Sequence, residues 1–201
     1  MKKRILRIAL AACLAAAVLA GVAVLRGAQT DTAVLADGSE MVFVKTSAAP
    51  GSAATQDLDV WVRPLTEEES AAFFPTLPFT GQALFSAKPD QNGDRQLLGL
   101  EGYAGDVKLV ISMTDQTMRD TFVGGTQRNT EVLGTPVTAA YARTNFMGGG
   151  VIYYAEYAWG DGTVYVENFG TTSEREHIKS ELAAAVQALI DGGFQEIPLS
   201  G

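Results

Sequence analysis

Hydrophobic and polar positions follow two different periods along this chain, and the clearest change of period lies in its last third. Val151-Ile-Tyr-Tyr-Ala-Glu-Tyr-Ala-Trp159 and Thr163-Val-Tyr-Val-Glu-Asn-Phe169 are rich in aromatic and β-branched residues, which pack well on a pleated surface. Gly160-Asp-Gly162 lies between them. A short Asp-Gly turn joining two such runs predicts a β-hairpin, because the turn demands positive φ. Alternation puts Val151, Tyr153, Tyr157 and Trp159 on one face, with Ile152, Tyr154 and Glu156 on the other. The period then lengthens: Ile178, Leu182, Val186, Leu189 and Ile190 recur at helical spacing, with Lys179, Glu181, Gln187 and Asp191 mostly outside the stripe. Ser173 followed by Glu176 has the form of a capping box, and Gly192-Gly193 supplies the stop.

Ahead of this unit, Met41–Lys45 and Leu58–Arg63 read as strands, separated by the low-complexity linker Thr46–Thr55. Thr66 and Glu69 form a second capping box, opening a short helix that ends before Pro75. Leu84–Lys88, Gln96–Tyr103 and Asp106–Met113 read as three further strands, and Thr130–Gly134 with Pro136–Phe146 leads through Met147–Gly150 into the hairpin. Strands followed by a covering helix predict an α+β domain: an antiparallel, curved sheet with the C-terminal helix on one face.

The N-terminus has a different pattern. Met1–Arg7 is basic, and Ile8–Leu25 is an uncharged apolar run. That run is marginal in length for a membrane span, and the basic residues ahead of it hold the N-terminus in the cytoplasm. The pattern predicts an uncleaved transmembrane signal anchor over residues 8–25. A stalk over residues 26–57, with a possible first strand, and an extracytoplasmic domain over residues 58–201 would follow. A cleaved signal peptide is one alternative. Acylation at Cys13 is another, since Leu10-Ala-Ala-Cys13 resembles a lipobox.

Charge sharpens this division. Five of the fifteen basic residues lie at or before Arg26 and none of the twenty-three acids does, so the remainder carries a formal charge of −13. An acidic domain lacks the clustered Lys and Arg that nucleic acid requires. With Cys13 the only cysteine, no disulfide framework or cysteine-based metal site can form in the outer domain.

Candidate chemistry is sparse. Asp90, Asn92, Asp94 and Glu101 stand at the first, third, fifth and twelfth positions of a calcium loop, where alternating oxygen ligands and a closing carboxylate surround the ion. The sixth position is Arg95 rather than glycine, and Asn92-Gly93 reads equally as a hairpin tip. His177 is the only histidine, so no two-histidine zinc site exists, and no nucleophile elbow or P-loop is present. No motif calls for a cofactor. Leu77-Pro-Phe-Thr-Gly81 matches the LPxTG sorting signal, but lies mid-chain ahead of strand-like sequence and reads as a proline-kinked loop. Tyr141, Phe146, Tyr153, Tyr154, Tyr157, Trp159 and Tyr165 could line a ligand groove, with Tyr141, Tyr154, Tyr157 and Trp159 as its candidate contacts. Aromatics at alternating strand positions also build cores.

Gly134-Thr-Pro-Val-Thr-Ala-Ala-Tyr141, Tyr153-Tyr-Ala-Glu-Tyr157, Tyr165-Val-Glu167 and the closing helix resemble, in order, small extracytoplasmic domains of uncharacterised single-pass membrane proteins of Gram-positive anaerobes. Some of those accompany anti-sigma-factor-type regulators or look like lipoprotein-carrier sheets. The resemblance implies a sensory or binding role and transfers no site residue. Met1–Arg7 is too short to fold into a sigma-factor-binding domain. The expectation is a non-enzymatic, membrane-anchored binding or sensory domain for an envelope protein or peptide. The alternatives are a secreted or envelope carboxylate-based hydrolase and a purely structural envelope component.

Overall fold

The computed structural model describes residues 30–46, 60–113, 129–144 and 149–199. The expected transmembrane run, Cys13, linker residues 47–55, Leu58 and Asp59 of the expected strand, and residues 145–148 including Phe146 lie outside them. Among the described residues no helix is long and apolar enough to cross a membrane.

Among the described residues ten strands form one sheet: β1 (Thr30–Val34), β2 (Glu40–Lys45), β3 (Val60–Pro64), β4 (Phe79–Ser86), β5 (Leu97–Ala104), β6 (Val107–Ser112), β7 (Asn129–Val132), β8 (Thr135–Thr144), β9 (Gly150–Trp159) and β10 (Gly162–Thr171). Their spatial order is β1-β2-β8-β9-β10-β6-β5-β4-β3, with β7 beside the first half of β8. Two α-helices among the described residues, α1 (Glu67–Phe73) and α2 (Arg175–Ala188), make this an α+β fold. The expectation of a wholly antiparallel sheet fails at one pair: β2 runs parallel to β8, with Val44 opposite Ala140 and Lys45 opposite Tyr141. Parallel neighbours are joined only by long connections, which no local pattern registers. Part of the expected stalk is also in the sheet. Residues 30–45 form β1 and β2, and Ala33, Leu35, Met41 and Phe43 enter the core. β1 is too polar to announce itself by alternation.

The hairpin of β9 and β10 forms with Trp159 opposite Gly162, leaving Gly160-Asp161 as a two-residue loop. Positive φ falls on Gly160, the first loop position, as a type II′ turn requires. Gly162 is needed for a different reason: a β-carbon there would strike the carbonyl of Ser112. Alternation sorts the side chains as the pattern requires. Val151, Tyr153, Ala155 and Tyr157 join Val164 and Val166 in the main core, whereas Tyr154 and Tyr165 pack with Val110 and Ala140 on the opposite face.

α2 buries Ile178, Leu182 and Val186 against the main core, and Leu189 follows beyond its end. Its cap is not the Ser173–Glu176 box. A 3-10 turn over Thr172–Glu174 precedes the helix, and Glu174 Oε2 accepts from Thr171 N at 2.9 Å and Thr171 Oγ1 at 2.6 Å. Glu176 is thereby released to pair with Lys179 at 2.7 Å. The Thr66–Glu69 box opens α1 as expected, with reciprocal bonds of 2.8 and 3.1 Å. α1 buries Phe73 under the same face of the sheet, where Phe194 stacks on it at 5.9 Å and meets Trp159 edge-on at 4.4 Å.

Candidate functional site

The sequence candidates occupy separate places. Tyr141, Tyr157 and Trp159 face the main core and Tyr154 the opposite face, so they do not converge on one groove. Tyr154 OH reaches Thr46 Oγ1 at 3.2 Å, and Tyr141 stacks on Tyr153 at 5.3 Å. Tyr157 OH is buried without a hydrogen-bond partner, and burial raises its pKa.

Asp90–Asp94 is a hairpin tip. Asp90 Oδ1 accepts from Asn92 N at 2.8 Å and Asp94 N at 2.9 Å, using the carboxylate to fasten the turn. Arg95 donates to the carbonyls of Ser86 and Ala87, and its guanidinium lies 5.4 Å over Trp61. Glu101 stands four residues inside β5, about 13 Å along the strand from Leu97. There it pairs with Lys108 at 3.1 Å. No group of three or more His, Cys, Asp or Glu side chains placed to hold a metal occurs among the described residues. In the LPxTG-like stretch, Thr80 and Gly81 lie inside β4, opposite Tyr103 and Gly102 of β5.

Chemistry converges instead at one end of the sheet, in an open hollow of about 500 Å³. β10 outruns β6 here: their pairing stops at Glu167 opposite Lys108, while β10 continues to Thr171 beside β9. The amide of Phe169 donates to Asn168 Oδ1 at 2.8 Å and that of Thr171 to Glu174. Side chains thus satisfy two backbone donors where β10 has lost its β6 neighbour.

Its lining includes Ile152 and Ile178 together with four carboxylates, Asp106, Glu167, Glu174 and Glu181. Two aromatic side chains at its margin are unusually exposed, Tyr103 at 53% and Phe169 at 44%. His177, exposed on α2, lies 3.3 Å from Glu181. The lysine of the hollow, Lys108, is already matched by Glu101.

Each of three carboxylates is held as an acceptor. Glu167 takes the Tyr165 hydroxyl at 2.7 Å, Glu181 takes Asn168 Nδ2 at 3.1 Å, and the Thr171 donors hold the Glu174 carboxyl below its ordinary pKa. Asn168, 1% exposed, is the keystone, because the same Nδ2 also donates to the carbonyl of Ile178 at 3.2 Å. No local motif marks this site. Its members are scattered over β5, β6, β9, β10 and α2, and only the pairing register assembles them.

A larger groove of about 690 Å³ flanks α1 and the Leu77–Thr80 segment, but its lining carries a single charged side chain, Glu67. Beside the hollow, α2 also presents Arg175 and Lys179 toward β1. Both bond to Asp31, which is joined to Tyr153 as well.

Set against known proteins, the chain matches no family model, no curated protein and no solved structure.

Proposed function

We propose that this chain is a non-enzymatic, extracytoplasmic binding domain, held at a membrane by the apolar run Ile8–Leu25, whose hollow receives a positively charged segment of an envelope peptide or protein. The observation that carries the reading is the presence of exposed Tyr103 and Phe169 beside four carboxylates in one hollow. Aromatic faces and carboxylates together suit a lysine or arginine side chain, through cation–π attraction and charge-assisted hydrogen bonds. Strand addition is a poor alternative, because the amides of Phe169 and Thr171 are already bonded to side chains.

A carboxylate hydrolase needs a carboxyl whose pKa is raised into the working range to act as an acid. Glu174 is shifted the other way, and Glu167 and Glu181 accept fixed donors, which favours static recognition over proton transfer.

The test is calorimetric titration of the purified protein with a lysine- and arginine-containing decapeptide and with its glutamate-substituted counterpart. The basic peptide binds, binding weakens as salt rises, and Phe169→Ala or Tyr103→Ala lowers affinity without changing the unfolding midpoint. Equal binding of both peptides, or indifference to both variants, removes the proposal. Turnover in a hydrolase substrate panel would favour the enzymatic alternative.

A further inference from the structure

β1 is a short outer strand next to β2, and little apolar surface holds it. Of its residues only Ala33 is buried, with Leu35 just beyond, while Val34 is 69% exposed. Its strongest attachment is polar. Asp31 Oδ2 accepts from Arg175 Nε at 2.8 Å and from Tyr153 OH, and Oδ1 accepts from Lys179 Nζ at 3.0 Å. Both carboxylate oxygens are therefore engaged by donors from β9 and α2, more than 120 residues away.

These donors are positioned without help from β1. The Arg175 guanidinium lies 4.8 Å over Tyr141, whose ring stacks on Tyr153 at 5.3 Å, and Tyr153 meets Phe43 edge-on at 5.0 Å. Lys179 is 5% exposed and also paired with Glu176. A guanidinium on an aromatic face and a buried ammonium, both from the first turns of α2, together with a tyrosine hydroxyl from β9, make a receptor for a carboxylate.

We infer that Asp31 occupies, from within the same chain, a carboxylate-binding site formed by Arg175, Lys179 and Tyr153, and that β1 is a strap an extended peptide bearing a carboxylate can replace. Burial opposes ionisation of Asp31, but the three donors outweigh it and keep its pKa below the ordinary value, so the strap is charged at neutral pH. An internal occupant lowers the apparent affinity of any competitor by the fraction of time the site is free. The site is thus masked until a competing segment is abundant or β1 is drawn away. It is independent of the acidic hollow and would take a ligand of opposite charge.

The experiment uses the full-length protein with Asp31→Ala, whose clamp lacks its carboxylate. Thermal unfolding is followed in sodium acetate and in sodium chloride of equal ionic strength. Acetate raises the midpoint of Asp31→Ala by several degrees over chloride, leaves the wild type unmoved, and has no effect on Asp31→Ala combined with Lys179→Met. Equal responses of Asp31→Ala and wild type overturn the inference. Should Asp31→Ala not fold, the wild-type chain is titrated with the blocked peptide Thr-Asp-Thr-Ala-Val and with its Asn-substituted form. The carboxylate peptide then binds more tightly by about tenfold or more, and equal or undetectable binding of both overturns it.

Discussion

Asn168 joins the sheet to α2 at the base of the acidic hollow, and its replacement gives the sharpest test of how that site is built. The side chain is 1% exposed and makes three hydrogen bonds, donating to Ile178 O and Glu181 Oε2 and accepting from Phe169 N. Asn168→Ala deletes all three, which costs about 2–4 kcal/mol at roughly 1 kcal/mol per neutral bond and more for the charged one. For a folded unit of this size that lowers the unfolding midpoint by about 5–15 °C. Asn168→Asp is the more informative change. It keeps the acceptor for Phe169 N but turns the donor into an oxygen facing the Ile178 carbonyl and the Glu181 carboxylate. Burial and like charge raise the folded-state pKa of the introduced carboxyl above its unfolded value of about 3.9. Stability contributed by a group with a raised folded pKa is present below the unfolded pKa and lost as pH rises through the folded one. Asn168→Asp is therefore less stable than Asn168→Ala at pH 7, and the order reverses near pH 4, where the protonated carboxyl again donates. Urea unfolding, followed through the fluorescence of Trp159 against Phe194, reads both midpoints. If Asn168→Asp matches or exceeds Asn168→Ala at pH 7, or the gap is independent of pH, the assigned hydrogen-bond directions are wrong.

Other positions give simpler expectations. Gly81→Ala brings a β-carbon onto the Glu101 carbonyl and within 2.6 Å of the Phe79 ring, so it destabilises by about 1–3 kcal/mol in urea unfolding; an unchanged midpoint would contradict the β4–β5 packing. Tyr157→Phe removes a buried hydroxyl that has no hydrogen-bond partner, and its midpoint rises or stays level, whereas a loss above about 1 kcal/mol would mean the hydroxyl is used. Leu133, 40% exposed at φ 51°, is the non-glycine residue of positive φ among those described. Leu133→Asn raises stability by about 1 kcal/mol in the same assay, and a lower midpoint would refute the strain. Hydrogen bonds from Arg63, then from Thr66 N, lower the Glu69 pKa to about 2. A depressed carboxyl stabilises above its unfolded pKa, so this contribution, about 1 kcal/mol after solvent screening, is lost between about pH 4.5 and 2. The stability gap between wild type and Glu69→Gln therefore closes over that window, and a constant gap would contradict it.

The same sequence was legible in some places and mute in others for physical reasons. Period and punctuation reported the β9–β10 hairpin, the buried stripe of α2 and the Thr66–Glu69 cap, because each is decided by residues within a few positions of one another. Where two local signals competed, the nearer one misled. Ser173 and Glu176 have the spacing of a cap, yet Thr171 and Glu174 take the role because β10 runs two residues further than its apolar pattern. Aromatic content was also ambiguous. In β9 it feeds two faces, so a list of tyrosines says nothing of convergence until the strand partners are known.

The missed features share one origin: each depends on which distant strands become neighbours. β1 has no apolar alternation, and its place is defined by Asp31 reaching donors on β9 and α2. The hollow exists because β10 outlasts β6 by a few residues, a difference in strand length that neither strand's own sequence declares. Both features meet on α2, whose inner stripe was readable. Outside that stripe, His177 and Glu181, with Glu174 just ahead of the helix, line the hollow, and Arg175 and Lys179 reach β1. An acidic receptor and a basic one on opposite flanks of a single helix would be set by one rigid element. A ligand that shifts α2 at either flank must then alter the geometry at the other, and that coupling is the physical route a sensory role would use.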